Sequence, residues 1–393
     1  MADELIPMLG DKTPLMAANT PCTDSLAKKS EIGLVHTIPK GMKPGSDTAN
    51  LSLLGYDPVK YYSGRSPLEA LSIGVDMKDT DVAVRCNLVT LSDEGSYEDK
   101  IIIDHSSDEI STEEAAVLLD AVRKELEDDE YKYYVGTSYR HLTIWDNGRV
   151  IPLTEPHDIL GSKVAKYLPK DEKLKSMMVR SFDILNNHPL NLERSNKGLK
   201  KANSIWFWGA GTKPALSSFE DKNNKKGAII SAVDLLKGIA VGAGMRVINV
   251  PGANGTLHTN YEGKARAALD VLLKDDYDFV YIHVEAPDEM GHQGSVENKI
   301  KAIEYLDERI IKPVVEGMEA SGKDFRMLIM PDHPTPIRLR THTADPVPYL
   351  LYDSRVNINN SYSFNEIDAI CSGNVILKGY TVIDKLFNNE ELE

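Results

Sequence analysis

Asp332 and His333 stand side by side in MPDHPTPIRLRTHTADPVP (330–348), and His342 follows nine residues after His333. Pro331, Pro334, Pro336 and Pro346 keep this run out of regular structure. Loops carry function more often than packing, and carboxylate with imidazole is a donor set for a divalent transition metal. A second cluster, HVEAPDEMGHQGS (283–295), holds Asp288 and His292 four residues apart. On a helix they share one face and can grip one ion. Taken alone, each cluster also fits something plainer, a proline-rich surface loop or a solvated helix start.

Together they say more. Each follows an apolar run that reads as a strand, DFVYIHVE (278–285) and RMLIM (326–330). Ligands of open α/β sheets bind at the C-terminal ends of the strands. Two Asp and three His suit Mn²⁺ or Zn²⁺ better than Mg²⁺, and pairs of such ions serve phosphoryl transfer. A third stretch, KPGSDTANLSLLGYDP (43–58), sets Ser46 after a Pro-Gly turn and before a helix-like run, 47–54. A serine there lies near free backbone N–H groups, which favour a phosphate. It reads equally as an ordinary N-cap, and metal coordination could turn it into a nucleophile. Arg65, Arg140, Arg194 and Lys264 complete the cationic candidates, each also readable as a solvated surface charge.

These residues need elements to carry them. The chain has 393 residues, 41% apolar and 27% charged, enough for two domains or one domain with a large insertion. Its net charge of −15, from 45 basic and 60 acidic residues, argues against a nucleic-acid partner. An anionic substrate would need local cations. Cys22, Cys86 and Cys371 make no disulfide framework. No apolar run is long enough for a membrane span, and the start shows no signal-peptide pattern; a cytoplasmic protein is expected.

KIIID (100–104) and SIWFW (204–208) join the two runs above as expected buried parallel strands. Segment 111–127 opens with a capping box, Ser111 to Glu114, and predicts a helix. Segments 227–244 and 294–322 predict helices too, the latter kinked or ended at Pro313. Strands alternating with helices imply a doubly wound α/β sheet. Segment 76–170 has alternating strands around one strong helix. It reads as a smaller α+β domain, set between 1–75 and 171–393.

GDKTPLMAANTP, KPGSDTANLSLLGYDPVKYYSGRSPLEA, GTSYRHL, NHPLN, WGAGTKP, PGANGTLHTNYEGKARAAL, APDEMGHQG and DHPTPIRLRTHTADPVPYL span nearly the whole chain. Together they resemble the archaeal-type, cofactor-independent phosphoglycerate mutases of the alkaline phosphatase superfamily. The resemblance implies an alkaline-phosphatase-like α/β core with an inserted cap. It implies that Ser46 is transiently phosphorylated as 3-phosphoglycerate and 2-phosphoglycerate interconvert. Asp288, His292 and His342 would hold one metal; Asp332, His333 and Ser46 would hold a second. Arg65, Arg140 and Lys264 would bind substrate phosphate and carboxylate, and Asp104 and His141 the glycerate. Two divalent ions are thus expected, manganese first, with magnesium, zinc or cobalt as alternatives, and no organic cofactor. The expected partner is a small phosphorylated substrate, with no nucleic acid and no membrane; oligomeric state stays open. The alternatives are a metal-dependent phosphatase or other phosphomutase on the same core, and a non-catalytic relative.

Two departures from the family pattern stand out. DHSSDEI (104–110) has Asp108 and Glu109 where the family has Gly-His in the cap. Family members also carry a strand ending Asp-Gly just before the Met-Ala-Asp found here at Met1–Asp3, and its Asp is a ligand of the second metal. A weakened second site and low activity are therefore expected of the chain as given, with Asp3 facing solvent rather than substituting.

Overall fold

The computed structural model describes residues 1–387. Its strands run in chain order as β1 (Glu31–Val35), β2 (Val82–Leu91), β3 (Ile102–Asp104), β4 (Tyr131–Thr137), β5 (Arg140–Trp145), β6 (Ser204–Thr212), β7 (Gly227–Ile230), β8 (Arg246–Ile248), β9 (Phe279–Ile282), β10 (Arg326–Ile329), β11 (Val347–Asp353) and β12 (Val375–Ile376). The chain divides into two compact units, Met1–Tyr62 with Ala215 onward, and Ser63–Pro214. No helix among the described residues is long and apolar enough to cross a membrane.

The first unit is mixed α/β. One sheet has the order β8-β7-β9 and is wholly parallel. The other has the order β10-β11-β1-β12, in which β11 runs antiparallel to both β10 and β1, and β12 parallel to β1. The expected run at 326–330 is thus a strand, but its partner is antiparallel. The helices Tyr261–Leu273 and Lys312–Ser321 bury Ala265, Ala268, Val314 and Met318 in one cluster with β7 and β9 residues.

The helix expected over 227–244 is instead a strand, β7, followed by a helix that begins at Asp234. Apolar run length does not separate a short buried strand from the start of a helix. Ser231 marks the break, since its Oγ accepts from Val233 N at 3.0 Å. The segment 294–322 forms two helices, Val296–Leu306 and Lys312–Ser321, joined by a π-helical turn at Asp307–Ile311. Pro313 has no N–H for the preceding turn, and the wider turn absorbs that defect. The same turn presents Asp307 to the start of the helix Pro21–Ala27, where it accepts from Thr23 N and Oγ1, both at 2.6 Å.

Among the described residues β9 pairs only with β7, and β10 only with β11, so each has a free edge. A cavity of about 280 Å³ lies along both strands, lined by 278–285 and 325–332. Leu272, Val314 and Met318 line it along with Leu53, Ile383 and Leu386. Ser46, His283, Asp288 and Asp332 also line it.

The second unit is a five-stranded sheet, β3-β2-β5-β4 with β6 on β2, antiparallel throughout. The helix Thr112–Leu126 has the expected cap, with Ser111 Oγ accepting from Glu114 N at 3.2 Å. Three expectations are corrected here. β3, expected at 100–104 as a buried parallel strand, pairs antiparallel with β2 and leaves Ile103 exposed. β6, read as a parallel strand of the core sheet, pairs antiparallel with β2 from Val82 to Val89. The inserted unit accordingly spans Ser63–Pro214 rather than 76–170. The residues leading into the helix Arg65–Ser72 join it by close backbone approach: a Cβ on Gly211 of β6 would collide with Ser63 O and lie 3.0 Å from Pro67 Cδ in the helix.

Candidate active site

Ser46 opens the helix Ser46–Leu53, with Gly45 as N-cap, and its side chain makes no capping bond. The ordinary-cap reading of this serine is therefore set aside. Its Oγ points instead to His333 Nε2, 3.0 Å away. Asp332 Oδ2 lies 3.4 Å from the same nitrogen.

Three elements hold this trio. Asn50, one turn along the helix, donates to Ser46 O at 2.8 Å and to Asp332 Oδ2 at 3.0 Å. Tyr281 of β9 fixes the amide by donating to Asn50 Oδ1 at 2.6 Å. Thr37, just after β1, donates to Asp332 O at 2.6 Å. Burial alone would raise the Asp332 pKa, but nearby His333 and His283 outweigh it and hold it below the ordinary carboxylate value.

A second trio adjoins the first. Asp288 and His292 lie one turn apart on the helix Ala286–Gln293, as their spacing requires, with Oδ2 and Nε2 3.3 Å apart. His342 Nε2, from the proline-rich loop, lies 2.9 Å from His292 Nε2 and 3.4 Å from Asp288 Oδ1. His292 Nδ1 is 3.0 Å from Arg340 O. That carbonyl can only accept, so Nδ1 carries the proton. Thr335 Oγ1 donates to Asp288 Oδ1 and sits 3.4 Å from His333 Nδ1. Asp288, His333 and His342 all place donor atoms within 4.8 Å of one another, so the two trios abut.

The donor set fits divalent metal. Two donors each about 2.1 Å from one ion, at a tetrahedral angle, lie about 3.4 Å apart; the spacings here run from 2.9 to 3.4 Å. The electrostatics agree. Burial alone would raise the Asp288 pKa, but hydrogen bonds with His292 and His342 hold it far below the usual range. His292 is pushed up to about 9, mainly by Asp288. The cluster draws positive charge, and its backing by Thr335 and Arg340 O is the outer-shell support that metal ligands usually have.

Three further groups lie at the end of β9. Lys264, expected as an anion binder, is fully buried and donates to His283 O at 2.9 Å. Burial pushes its pKa down to about 8. His283 Nδ1 lies 3.3 Å from Ser231 Oγ, and burial pushes this imidazole down to about 4. Glu285 is raised above its usual value by burial and by Asp288. The sequence reading passed over His283, Glu285, Asn50, Tyr281 and Thr335. Polar residues at alternate positions of YIHVE were the available signal for the first two.

The remaining candidates lie in the second unit. Arg65 pairs with Glu69 at 3.1 Å, and Arg140 is exposed beside Tyr139. Arg194 is buried, in an ion pair with Glu114 and donating to Ser107 O at 2.7 Å, so it is structural rather than a surface charge. Asp104 pairs with Lys200 at 2.7 Å and accepts from Ser106 N and Asp108 N, holding a turn in which Ser107, Asp108 and Glu109 have φ of 52°, 56° and 50°. The two residues that depart from the family's Gly-His are thus part of a left-handed turn. His141 is 1% exposed, accepts from Gly136 N through Nδ1 at 3.2 Å, and is pushed by burial down to about 4. Its Nε2 is buried with no hydrogen-bond partner among the described residues.

Asp3 also differs from expectation. Its side chain is 1% exposed and bonds Lys299 Nζ at 2.7 Å, so it does not face solvent.

Comparison with known proteins places the chain in a family. Residues 27–191 match the family model for 2,3-bisphosphoglycerate-independent phosphoglycerate mutase. The enzyme so named from Methanosarcina acetivorans is 47% identical over 380 residues, covering 95% of this chain and 94% of its own. That from Methanosarcina mazei is 48% identical, covering 93% and 92%. A Pyrococcus horikoshii protein of solved structure matches with TM-score 0.82 at 30% identity over 100% of this chain and 96% of its own. The cofactor-independent phosphoglycerate mutase of Thermoplasma acidophilum matches with TM-score 0.67 at 27% identity, covering 99% and 96%. A near full-length match at this identity, with an alkaline-phosphatase-like fold beneath it, is a family relationship: the chain belongs to the archaeal-type 2,3-bisphosphoglycerate-independent phosphoglycerate mutases, which are isomerases.

Proposed function

We propose that the chain interconverts 3-phosphoglycerate and 2-phosphoglycerate through a phosphoserine at Ser46, as part of glycolysis and gluconeogenesis in the cytoplasm. The observation that carries this is the position of Ser46 Oγ, 3.0 Å from His333 Nε2 at the start of a helix. The residues that would hold divalent ions, manganese first, are Asp288, His292 and His342 for one, and Asp332, His333 and Ser46 for the other. Such ions supply Lewis acidity that offsets charge on a transferring phosphoryl group.

The protein's own groups do the rest. Asn50 and Tyr281 fix the Ser46 backbone and the Asp332 carboxylate together, so the hydroxyl is aimed before substrate arrives. Helix N–H groups behind Ser46 face the phosphate. Ser46 Oγ bonds to phosphorus as the bond to the glycerate oxygen breaks, and the serine proton is balanced by protonation of that departing oxygen. Glycerate then takes the phosphoryl group back on its other hydroxyl. Buried Lys264, charged below about pH 8, offsets the negative charge of phosphate or carboxylate.

The test is an assay of the manganese-loaded protein with 3-phosphoglycerate that scores 2-phosphoglycerate against free phosphate. Accumulation of 2-phosphoglycerate, with phosphate on the peptide bearing Ser46, is expected. Free phosphate alone would make the protein a phosphatase instead.

A further inference from the structure

Lys299 is, with Lys264, a fully buried cation near the site, and neither trio contains it. It projects from the helix Val296–Leu306 and is fully buried. An ammonium has three N–H donors, and here each has an acceptor: Asp3 Oδ2 at 2.7 Å, Thr335 O at 2.8 Å and Ala2 O at 3.3 Å. Asp3 is equally occupied. It accepts from Ile337 N through Oδ2 at 3.1 Å and from Glu4 N through Oδ1 at 2.8 Å.

The destinations of these bonds matter. Thr335 and Ile337 lie between His333 and His342, in a loop where Pro334 and Pro336 preclude regular pairing. Lys299 takes the carbonyl of Thr335, and Asp3 takes the N–H of Ile337. Between them they fix the peptide units on both sides of Pro336. The Thr335 side chain, held by that backbone, donates to Asp288 Oδ1 and lies 3.4 Å from His333 Nδ1. One hydroxyl thus touches a member of each trio.

We propose that the buried Asp3–Lys299 pair positions the metal site, acting through Thr335 on the Asp288 carboxylate and the His333 ring. This rests on the reading of Asp288, His292, Asp332, His333 and His342 as metal ligands. A buried ion pair is weak evidence of net stability, because desolvation offsets its attraction. What this pair supplies is a single loop geometry, and outer-shell partners of ligands typically carry 10–100-fold in metal affinity.

Removing one charge strands the other, so a single variant could fail to fold for an unrelated reason. The test therefore uses the double variant Asp3→Asn/Lys299→Met, together with Thr335→Val and Thr335→Ser. Manganese affinity is measured on each by titration against a chromophoric chelator, beside melting temperature in metal-free buffer and separate kcat and KM. Expected are at least tenfold weaker manganese binding in the double variant and in Thr335→Val, near wild-type binding in Thr335→Ser, and a combined triple variant (with Thr335→Val) no weaker than either alone. The loss should fall on kcat more than on KM. Wild-type manganese affinity in a double variant that merely melts lower would make the pair structural and overturn the proposal. Strictly additive losses would overturn the route through Thr335. If the wild type itself takes up no manganese, zinc or cobalt, the metal reading fails first, and this proposal with it.

Discussion

Ser46 Oγ and His333 Nε2 lie 3.0 Å apart although 287 residues separate them in sequence. The serine comes from a helix start and the histidine from a loop after β10. Asn50, which bonds both Ser46 O and Asp332, ties the two segments together. In the proposed reaction this contact is what would set Ser46 apart from the other residues of its helix as the nucleophile.

Ser46→Ala should therefore abolish phosphoryl transfer with little effect on the fold. The lost hydroxyl makes one hydrogen bond, worth about 1 kcal/mol of stability, and no cap. Activity and mass-spectrometric mapping of phosphate decide it. A variant that still transfers phosphate, or a phosphopeptide lacking Ser46, removes the serine from the mechanism.

His292→Ala and His342→Ala should lower affinity for the same ion, leaving the other largely in place. His333→Ala should affect the ion shared with Ser46 and Asp332. Each loss should be at least tenfold, as for the loss of a supporting partner. Metal content after dialysis checks this, and full retention of both ions in all three variants would refute the ligand sets.

Lys264 should give substrate binding a pH limit. Its pKa is lowered to about 8 by burial, so it is charged at pH 7 and neutral at pH 9. KM for 3-phosphoglycerate should rise as pH passes through about 8. Lys264→Met should raise KM at pH 7 by roughly 10–100-fold, the range for a hydrogen bond to a charged group, and flatten that rise. Linkage gives a second sign. Because the folded-state pKa lies below the usual 10.5, charging costs the fold, and the unliganded protein should gain stability as pH climbs from about 8 to 10.5.

The free edge of β9 should be visible in hydrogen exchange. Phe279 N and His283 N bond Lys226 O and Ile230 O, so by alternation Tyr281 N also faces β7, while Val280 N and Ile282 N face away. The amides of Val280 and Ile282 should exchange faster than that of Tyr281. Equal protection of all three would mean that a further extended segment pairs with this edge.

Much of the site was legible because its spacing is local. Asp288 and His292 share a helix face, Asp332 and His333 follow an apolar strand, and Ser46 follows a Pro-Gly turn; none of these needs a distant partner to be read. Asn50, Tyr281, Thr335 and Lys299 were not legible. Their roles come from contacts across the sequence, and as single letters they are indistinguishable from ordinary helix or strand residues. Asp3 was misread for the same reason, since only Lys299 and Ile337 N explain its burial. The fold follows the same division. The helix at 112–126 announces both its cap and its period, whereas β7 has four residues, too few to show a period. β6 has the composition of a core strand, and nothing in its own letters says that β2 is its partner.

The chain's division also sets an order of events during synthesis. Ser63–Pro214 is contiguous and can fold as soon as it leaves the ribosome, but the other unit draws on both ends of the sequence. Asp3 must wait for Lys299 and Ile337, and Thr13 for Glu366. At about 5–20 residues per second, some 300 residues take about 15–60 s to follow the first sixty out. Throughout that interval β1, whose Ile32 and Val35 end up buried, has neither β11 nor β12 to pair with. The segment carrying β1 thus stays open to mispairing until β11 and β12 emerge, and His342 joins Asp288 and His292 only once the loop after β10 has been made.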